Sequence, residues 1–443
     1  RKDTAGGGAN GTAGGNVPLT VPAPGANPGA TTFSSAAINL VSTDIRSSTG
    51  NVDITGFAQS GTGVRLQGTL FVGEGRLGVI ETTSGNIGIT GIGAFSSNSA
   101  DAPGHGVIID QAQVGAFDGN VTVRGLRLAG GTPGTGITLQ NGGRIVTSGA
   151  GNTEVTGESQ GGGAGLLTTA GGTNGQGITF PDSIIAGRNV VVRANNDGSA
   201  DAIVLGGSVG ALETINLRPG GVDAATGAGV DRTGVPIVFM GGTNGFSISP
   251  AEAGKFFVAP TLVLGSNAHA ADISVLAPVT TSRNLTLHNG GGGNINLAAP
   301  VSVPQLGLVS GGNITQSAGA AITAGTLLAQ SLRGNVILAD AGNNVSASTL
   351  GGSAAGRFEF VNSGPLRVGP VSVTGFDAAG NQPQIVSATS MLADTLFIRT
   401  LSGPLILDTS VGTANGADLV AATTFQNAGG GRLGGAARRA VGG

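Results

Sequence analysis

Apolar residues alternate with polar or small residues in short segments that recur along the first half of the chain. Each of five such segments begins with Asn, and these asparagines are 35, 34, 32 and 37 residues apart. The first and third residues after Asn are nearly always β-branched, which predicts a short strand with one buried face. The segments are Asn51-Val-Asp-Ile54, Asn86-Ile-Gly-Ile89, Asn120-Val-Thr-Val123, Asn152-Thr-Glu-Val155 and Asn189-Val-Val-Val192.

A second family of alternating segments lies between the first, and less regular apolar runs such as Ile145-Val146 and Ile184-Ile185 form a third. Three short strands per repeat, with glycine at the corners, predict one rung of a parallel β-helix. We expect two inward columns, one running through Val52, Ile87, Val121 and Val190 with Thr153 as a polar exception, the other through Leu66, Ile109, Leu139 and Phe180. The second family comprises Gly61-Thr-Gly-Val-Arg-Leu66, Gly104-His-Gly-Val-Ile-Ile109, Gly134-Thr-Gly-Ile-Thr-Leu139 and Gly175-Gln-Gly-Ile-Thr-Phe180.

The period shortens in the second half of the chain. Segments that begin at Asn284, Asn294, Asn313 and Asn335 are 10, 19 and 22 residues apart. The last two steps fit lean rungs of about 20 residues, and the 10-residue step links two strands of one rung. The prediction is an all-β parallel β-helix with longer, looped rungs in the N-terminal half and lean rungs in the C-terminal half.

Five regions follow from these patterns. Residues 1–32 form a Gly/Pro-rich arm, and residues 33–220 a β-helix with loop-bearing rungs. Residues 221–260 form a junction, in which Ser249-Pro-Ala-Glu-Ala-Gly-Lys255 favours a short helical turn. Residues 261–426 form the lean β-helix, and residues 427–443 a Gly/Arg-rich tail.

The amino-acid composition narrows the range of possible functions. Gly accounts for 85 of 443 residues, charged residues for 10%, and the net charge is −3, so we expect no nucleic acid partner. The longest apolar runs are too short to predict a membrane span. Cysteine is absent, which excludes thiol chemistry, and Trp and Tyr, the broad rings that sugar and base sites favour, are absent too.

The repeats resemble those of filamentous-haemagglutinin-like bacterial exoproteins and adhesins. The resemblance rests on the Gly-Asn-Ile/Val and Gly-x-Gly-Ile/Val strands and on the phrase Gly311-Gly-Asn-Ile-Thr-Gln-Ser-Ala-Gly-Ala-Ala-Ile-Thr-Ala-Gly-Thr-Leu327, and it covers roughly residues 45–380. It implies a right-handed β-helix that is secreted or displayed on the bacterial surface for adhesion. No segment matches the two-partner secretion domain with its Asn-Pro-Asn-Gly signature.

Candidate chemistry is sparse. His105 and Asp110 form the strongest acid/base pair, but His105 occupies the slot of Thr62, Thr135 and Gln176, which predicts a solvated turn residue. The enzyme alternative is a polysaccharide lyase or hydrolase, by analogy with other β-helices. Its groups would come from the outward slots of Asp53, Thr122 and Glu154 with Arg124 and Arg127 nearby, although Gly88 and Val191 interrupt that column.

Metal and cofactor sites are weaker still. His269 and His288 are 19 residues apart, about one lean rung, and are predicted to be ordinary surface histidines. The sequons at Asn120, Asn284, Asn313 and Asn344 arise from the repeat itself. We expect no catalytic residue, cofactor or metal ion.

Loop lengths vary while the strands keep their form, and function on a repeat scaffold commonly lies in such loops. The expected partners are a host or bacterial cell-surface component, or neighbouring copies joined end to end, without insertion into a membrane. The sequence thus predicts a noncatalytic, secreted or surface-exposed adhesin stalk or fibre subunit. The candidate contact residues are Phe95, Asn98, Asp101, Glu158, Gln160 and Asn174.

Overall fold

The regular secondary structure of the computed structural model is almost wholly β-strand, and most strands pair in parallel with strands one rung away, which confirms the predicted all-β parallel β-helix. The structure describes residues 17–21, 36–71, 74–76, 78–95, 104–173, 178–345, 349–427, 433–434 and 437–441. They fall into two compact units. Unit 1 draws on Arg1–Glu213, Gly220–Asp231 and Gly254–Val258, and unit 2 on Thr214–Pro219, Arg232–Ala253 and Ala259–Gly443.

The first twenty strands belong to unit 1. They are β1 Val17–Val21, β2 Ala36–Val41, β3 Asp44–Ser47, β4 Val52–Phe57, β5 Thr62–Gln67, β6 Thr69–Phe71, β7 Glu74–Arg76, β8 Gly78–Thr82, β9 Ile87–Gly93, β10 Val107–Asp110, β11 Ala112–Ala116, β12 Val121–Arg127, β13 Ile137–Gln140, β14 Arg144–Thr147, β15 Thr153–Ser159, β16 Leu166–Thr168, β17 Gly172–Thr173, β18 Thr179–Phe180, β19 Ile184–Asn196 and β20 Ile203–Leu205.

The next elements are shared between the units, and from β26 onward all belong to unit 2. They are β21 Ser208–Val222, β22 Gly229–Asp231, β23 Ile237–Phe239, β24 Phe246–Ile248, helix α1 Pro250–Ala253, β25 Phe256–Phe257, β26 Thr261–Ser266, β27 Ile273–Val275, β28 Val279–Thr280, β29 Asn284–Asn289, β30 Ile295–Leu297, β31 Val301–Ser310, β32 Ile314–Gln316, β33 Ile322–Ser331, β34 Val336–Leu338, β35 Asn344–Val345, β36 Thr349–Ala354, β37 Arg357–Asn362, β38 Leu366–Val368, β39 Val371–Asp377, β40 Gln382–Ala388, β41 Met391–Thr400, β42 Leu405–Leu407, β43 Val411–Ala421, β44 Phe425–Asn427, β45 Leu433–Gly434 and β46 Ala437–Val441.

Three strand columns build unit 1. The Asn-headed column runs β1, β4, β9, β12, β15 and β19, and its register pairs Val52, Ile87, Val121, Thr153 and Val190 in the predicted order. A second column runs β2, β5, β10, β13, β16 and β20. The third runs β3, β8, β11, β14 and the start of β19. All five of the paired residues in the first column are buried, so they form a continuous core stack.

The second column departs from the sequence alignment at its fourth rung. Leu139 pairs with Thr168 of β16, and Phe180 lies in β18, which pairs antiparallel with β17. The expectation that Phe180 continues this column is therefore wrong. The segment Gly163-Ala-Gly-Leu-Leu-Thr168 supplies the strand instead, because its Gly-x-Gly-apolar spacing matches the earlier rungs as well as Gly175-Gln-Gly does.

Glycine is required where the first two columns meet at a corner. A Cβ added to Gly125 would lie 2.1 Å from the carbonyl oxygen of Gly136, and one added to Gly91 would lie 2.1 Å from that of Gly106. These are far below the distances that carbon and oxygen tolerate, so the close approach of the two backbones explains why both strand families carry a glycine at this point.

A ladder of asparagines connects the rungs of unit 1. The side-chain oxygen of Asn51 accepts the backbone N–H of Asn86 at 2.8 Å, and Asn86 accepts that of Asn120 at 2.9 Å. Asn120 and Asn152 accept the backbone N–H of Asn152 and Asn189 in the same way. Each Asn thus satisfies a donor of the next rung at the turn before the strand.

Unit 2 has the lean rungs that the sequence predicts. Its most regular column runs β27, β30, β32, β34 and β37, with steps of 22, 19, 22 and 22 residues between the paired residues. A second ladder accompanies it, since Asp272, Asn294, Asn313 and Asn335 each accept the backbone N–H of the residue that heads the next rung. The paired core residues are Ile273, Ile295, Ile314, Val336 and Phe358.

Each unit also carries an antiparallel hairpin. In unit 1 the end of β21 pairs with β22, and Val222 packs on Ile92 and Leu126. In unit 2, β39 pairs with β40, and Val371, Val373 and Ala388 pack on Val309 and Leu328. We call these the Val222 hairpin and the Phe376 hairpin. Both cover an outward sheet face of their own unit, which creates a second small core outside the helix.

The structure agrees with some of the predicted regions and differs from others. The helical turn is present as α1, capped by Ser249, whose side chain and Glu252 bond to each other. Residues 221–231 of the predicted junction belong to unit 1 as part of the Val222 hairpin. The predicted arm contains β1, and the predicted tail contains β45 and β46, all of which pair with the β-helix.

Candidate functional site

His105 and Asp110 stand at opposite ends of one strand run. His105 precedes β10 and Asp110 ends it, so the extended backbone separates them by about 16 Å. The Nδ1 atom of His105 accepts the backbone N–H of Thr135 at 3.1 Å and lies 2.7 Å from its hydroxyl. Asp110 is buried and accepts the side-chain amides of Gln140 at 3.0 Å and Asn141 at 2.9 Å. The structure does not bring the two groups together.

Glu158 is a buried strand residue rather than part of an exposed loop. It lies in β15, is 4% exposed, and accepts the backbone N–H of Val222 at 2.9 Å and the amide of Asn195 at 3.3 Å. Sequence reasoning misplaced it because the Val222 hairpin, which buries it, comes from 64 residues further along the chain. Glu158 therefore anchors that hairpin.

The other candidate contact residues are placed as follows. Phe95 and Gln160 are partly buried in loops, and the Phe95 ring fills the space that a side chain at Gly131 would need. Asn98, Asp101 and Asn174 lie outside the described residues. No described feature joins Phe95 and Gln160 into one site.

The outward carboxylate Glu154 belongs to an ion-pair network inside unit 1. Its Oε1 atom contacts a guanidinium nitrogen of Arg193 and lies 3.5 Å from one of Arg124. Arg193 in turn lies 3.4 Å from Asp231 of the Val222 hairpin. Two cations and two carboxylates thus compensate each other beneath the hairpin, and the network serves to hold it. Asp53 lies outside these contacts.

Arg127 is a buried cation that holds backbone rather than a ligand. Its guanidinium donates to the carbonyl oxygens of Leu128, Gly130 and Thr132, the last at 3.2 Å. Burial lowers the pKa of Arg127 from its ordinary value. The side chain therefore fixes the loop that follows β12.

The two histidines of unit 2 are not surface residues, so the sequence expectation for them is wrong. His269 and His288 are each 2% exposed. His288 Nδ1 accepts the backbone N–H of Phe376 at 3.0 Å, and burial, with a smaller contribution from the nearby His269, lowers the pKa of His288 to about 4. A neutral His288 thus holds the Phe376 hairpin. Within the described ranges, no three His, Asp or Glu side chains gather as a metal site.

A groove on the outward face of the third column of unit 1 is the best candidate for a contact site. Its volume is about 370 Å³, and strands β3, β8, β11 and β14 form its floor. We call it the Phe117 groove, after the aromatic residue at its rim. Its principal lining residues are Arg46, Glu81, Gln113, Gly115, Phe117 and Val146.

Phe117 is the unusual member of this groove. Its side chain is 53% exposed, although Phe is among the residues that proteins usually bury. It follows Ala116 as Ser148 follows Thr147 in the next rung, so the fold accepts a small polar residue at this slot. The exposed ring is therefore not a requirement of the rung, which makes Phe117 a candidate contact residue.

Sequence reasoning missed the groove because its residues come from different rungs, 30 or more positions apart, and belong to the least regular strand family. The local signal was Phe117 itself, a large ring directly after an alternating run. The candidate loops attracted attention by their length instead.

The fold places this chain in the class of parallel β-helix proteins. No family model matches it, and comparisons with curated proteins and with solved structures find no match. Among the residues that the structure describes, no helix is long and apolar enough to cross a membrane.

Proposed function

We propose that this chain is a noncatalytic structural protein of a bacterial surface or of its secretions, working as a β-helical adhesin stalk or as a subunit of an extracellular fibre. The observation that carries the proposal is the pair of side-chain ladders that join each rung to the next, beside the backbone pairing. Repeated coupling of this kind makes an extended, stiff support from short strands. The resemblance of its repeats to filamentous-haemagglutinin-like exoproteins supports the same proposal.

Two of the carboxylates named for the enzyme alternative, Asp110 and Glu154, have structural duties, as does Glu158. Asp110 holds two amides of the next rung, Glu154 compensates two arginines, and Glu158 anchors the Val222 hairpin. Each of these tasks needs the carboxylate as a fixed acceptor, whereas catalysis on a glycan needs two carboxyl groups facing one open site. These duties favour a scaffold over a hydrolase or lyase.

Adhesion needs contacts that are exposed and repeated. The Phe117 groove offers an exposed ring and polar side chains on a rigid sheet, so little conformational entropy is lost when it binds. Many copies on one surface convert weak single contacts into firm attachment. The groove is the first place where we expect such contacts.

The test uses the absence of cysteine, because one introduced cysteine on an exposed loop gives a single labelling site. The labelled chain is incubated with bacterial and host cells and with soluble polysaccharides, and both binding and chain cleavage are measured. We expect saturable binding without cleavage. Cleavage that disappears in Asp110→Asn or Glu154→Gln, with the fold intact by circular dichroism, would make the protein an enzyme.

Electron micrographs of the purified chain separate the two structural roles. Long regular fibres that grow with protein concentration identify a fibre subunit. Single particles that bind cells identify an adhesin stalk. Particles that neither polymerise nor bind would contradict both roles.

A further inference from the structure

The outward row of strand β11 gives the Phe117 groove its shape. Gln113 and Gly115 are alternate residues of β11, and Phe117 directly follows the strand at the next alternate position. All three line the groove, with about 7 Å between the Cα atoms of successive members. Gly115 has no side chain, whereas the residues opposite it in the neighbouring rungs are Glu81 and Val146. The groove is therefore shallowest in side chain at Gly115, between Phe117 and the Gln113 side chain, whose Nε2 atom lies 3.5 Å from the position of a Cβ there.

A short polar row closes one side of the groove. Arg46 lies 3.4 Å from Glu81, and the Gln113 amide nitrogen donates to Glu81 at 2.9 Å. The cation and the carboxylate cancel, so the row offers hydrogen bonds without net charge. Among the described residues, none bonds to the Gln113 amide oxygen, and the Gln113 side chain lines the groove.

The backbone of β11, in the groove floor, has no hydrogen bonds to offer. Residues 112–116 of β11 pair with β8 on one side, and residues 113–116 pair with β14 on the other. An extended peptide that binds as an added strand needs an open sheet edge, which β11 lacks. Recognition over β11 therefore uses side chains.

These features match the chemistry of a sugar chain. A pyranose presents an apolar face of C–H groups, which packs on an aromatic ring, and hydroxyl groups, which exchange hydrogen bonds with amides and with carboxylate–guanidinium pairs. Neighbouring rungs are spaced by about 4.8 Å, comparable with the length of one sugar unit, so a chain that crosses the rungs keeps its register with them.

We propose that the Phe117 groove binds an electrically neutral glycan chain, with one sugar seated over Gly115 against the Phe117 ring and its hydroxyls bonded to Gln113 and Glu81. This inference rests on the proposed function, since it names the class of partner that the adhesive surface recognises. The absence of Trp and Tyr does not oppose it, because Gln113 and Glu81 supply the polar groups that a phenyl ring lacks.

The sharpest variant fills the seat with a side chain that the next rung already carries. A Cβ at Gly115 would lie 3.3 Å from the Val146 carbonyl oxygen and 3.5 Å from the Gln113 Nε2 atom, so these neighbours must shift by a few tenths of an ångström, and valine is the residue at the equivalent slot of the next rung. Gly115→Val should therefore keep the fold, with at most a small fall in its unfolding midpoint. It should lower glycan affinity by at least about tenfold, because the seat of the sugar is occupied.

Two changes at Phe117 provide a reporter and a matched control. Phe117→Trp introduces the only Trp of the chain, so its fluorescence reports on the groove alone. Its broader ring should bind the glycan at least as tightly as Phe. Phe117→Ser copies Ser148 of the next rung and should weaken binding by up to about tenfold while the fold is kept.

The probes are neutral linear glucan, mannan and xylan oligosaccharides, with a polyuronate and a protein-coated surface as separate arms. We expect the Phe117→Trp fluorescence to shift with at least one neutral oligosaccharide and the shift to vanish when Gly115→Val is added. Binding only to the polyuronate or to protein, binding that Gly115→Val leaves unchanged, or no binding in any arm would overturn the glycan assignment.

The two proposals fail separately. If the chain adheres to cells but binds no neutral glycan, the glycan assignment is wrong and the adhesive role stands. If neutral glycans bind in the groove but the chain neither adheres nor forms fibres, the glycan site stands and the structural role is wrong.

Discussion

The close contact between Gly125 and Gly136 in unit 1 leaves no room for a single methyl group. In Gly125→Ala the new Cβ would meet the Gly136 carbonyl oxygen and carbon and the Ile137 side chain. Since two of these atoms are backbone, two strand columns must move apart. We expect a loss of about 3 kcal/mol in the free energy of unfolding, measured with a chemical denaturant.

A matched control lies one rung away on the same strand column. In Gly88→Ala the nearest atom is the end of the flexible Asp53 carboxylate, which can turn aside. We expect a change within about 0.5 kcal/mol. Equal losses in the two variants would contradict the close approach of the corner backbones.

At the scale of single residues the sequence predicted the core of unit 1 well, and its surface poorly. The register of the core column was predictable because five copies of one segment can be aligned, so a single irregular residue does not obscure the pattern. The column comprises Val52, Ile87, Val121, Thr153 and Val190. The burial of Glu158 and His288 could not be predicted, because each is covered by a hairpin from a distant part of the chain.

The Phe376 hairpin is an element whose docking depends on pH. Its backbone N–H at Phe376 donates to His288 Nδ1, which must be unprotonated to accept it. His269 lies close to His288 and disfavours a positive charge on the His288 ring. Two further contacts hold the tip of the hairpin. The Arg218 guanidinium lies 4.7 Å from the centroid of the Phe376 ring, and the Asn267 side-chain amide donates to the Asp377 carboxylate at 3.0 Å.

Acid should therefore loosen unit 2. The pKa of His288 is about 4 in the folded protein and 6.5 in an ordinary setting. The unfolded chain thus binds the proton first, so the stabilisation is complete above pH 6.5 and is lost as the pH falls towards 4. The free energy of unfolding should fall by about 3 kcal/mol over this pH range. Denaturant unfolding at a series of pH values measures it.

His288→Asn is the matched variant for this prediction. The Asn side-chain oxygen replaces Nδ1 as the acceptor but does not titrate, so the variant should lose stability less steeply between pH 6.5 and 4 than the parent. The carboxylates of unit 2 titrate in both proteins and cancel in the comparison. An identical slope in the two proteins would show that His288 does not carry the effect.

The hairpins are also the elements that sequence reasoning missed. Val371-Ser-Val-Thr-Gly-Phe376 alternates like a rung strand, and β39 and β40 are separated by only a short turn that contains Gly380 and Asn381. Alternation alone does not distinguish a strand inside a rung from one that leaves it. The helical turn α1 was predictable because its cap is local in sequence.

For the whole molecule, the repeat period was the decisive signal. It predicted a β-helix, long rungs before the junction and lean rungs after it, because each rung must return the chain to the same column. It did not predict that segments from the junction would belong to both units, since that depends on where β21 and its hairpin pack. The Phe117 groove was equally hidden, because successive rungs must be stacked before Arg46, Glu81 and Phe117 line one groove.

The central claim is that a stiff β-helix presents an adhesive groove and performs no chemistry there. The most direct measurement is the attachment of beads coated with the parent chain or with Gly115→Val to a surface that the parent binds, with thermal unfolding of both proteins recorded alongside. We predict thermal unfolding close to that of the parent and loss of most attachment in Gly115→Val. Full attachment by a correctly folded Gly115→Val would contradict the claim.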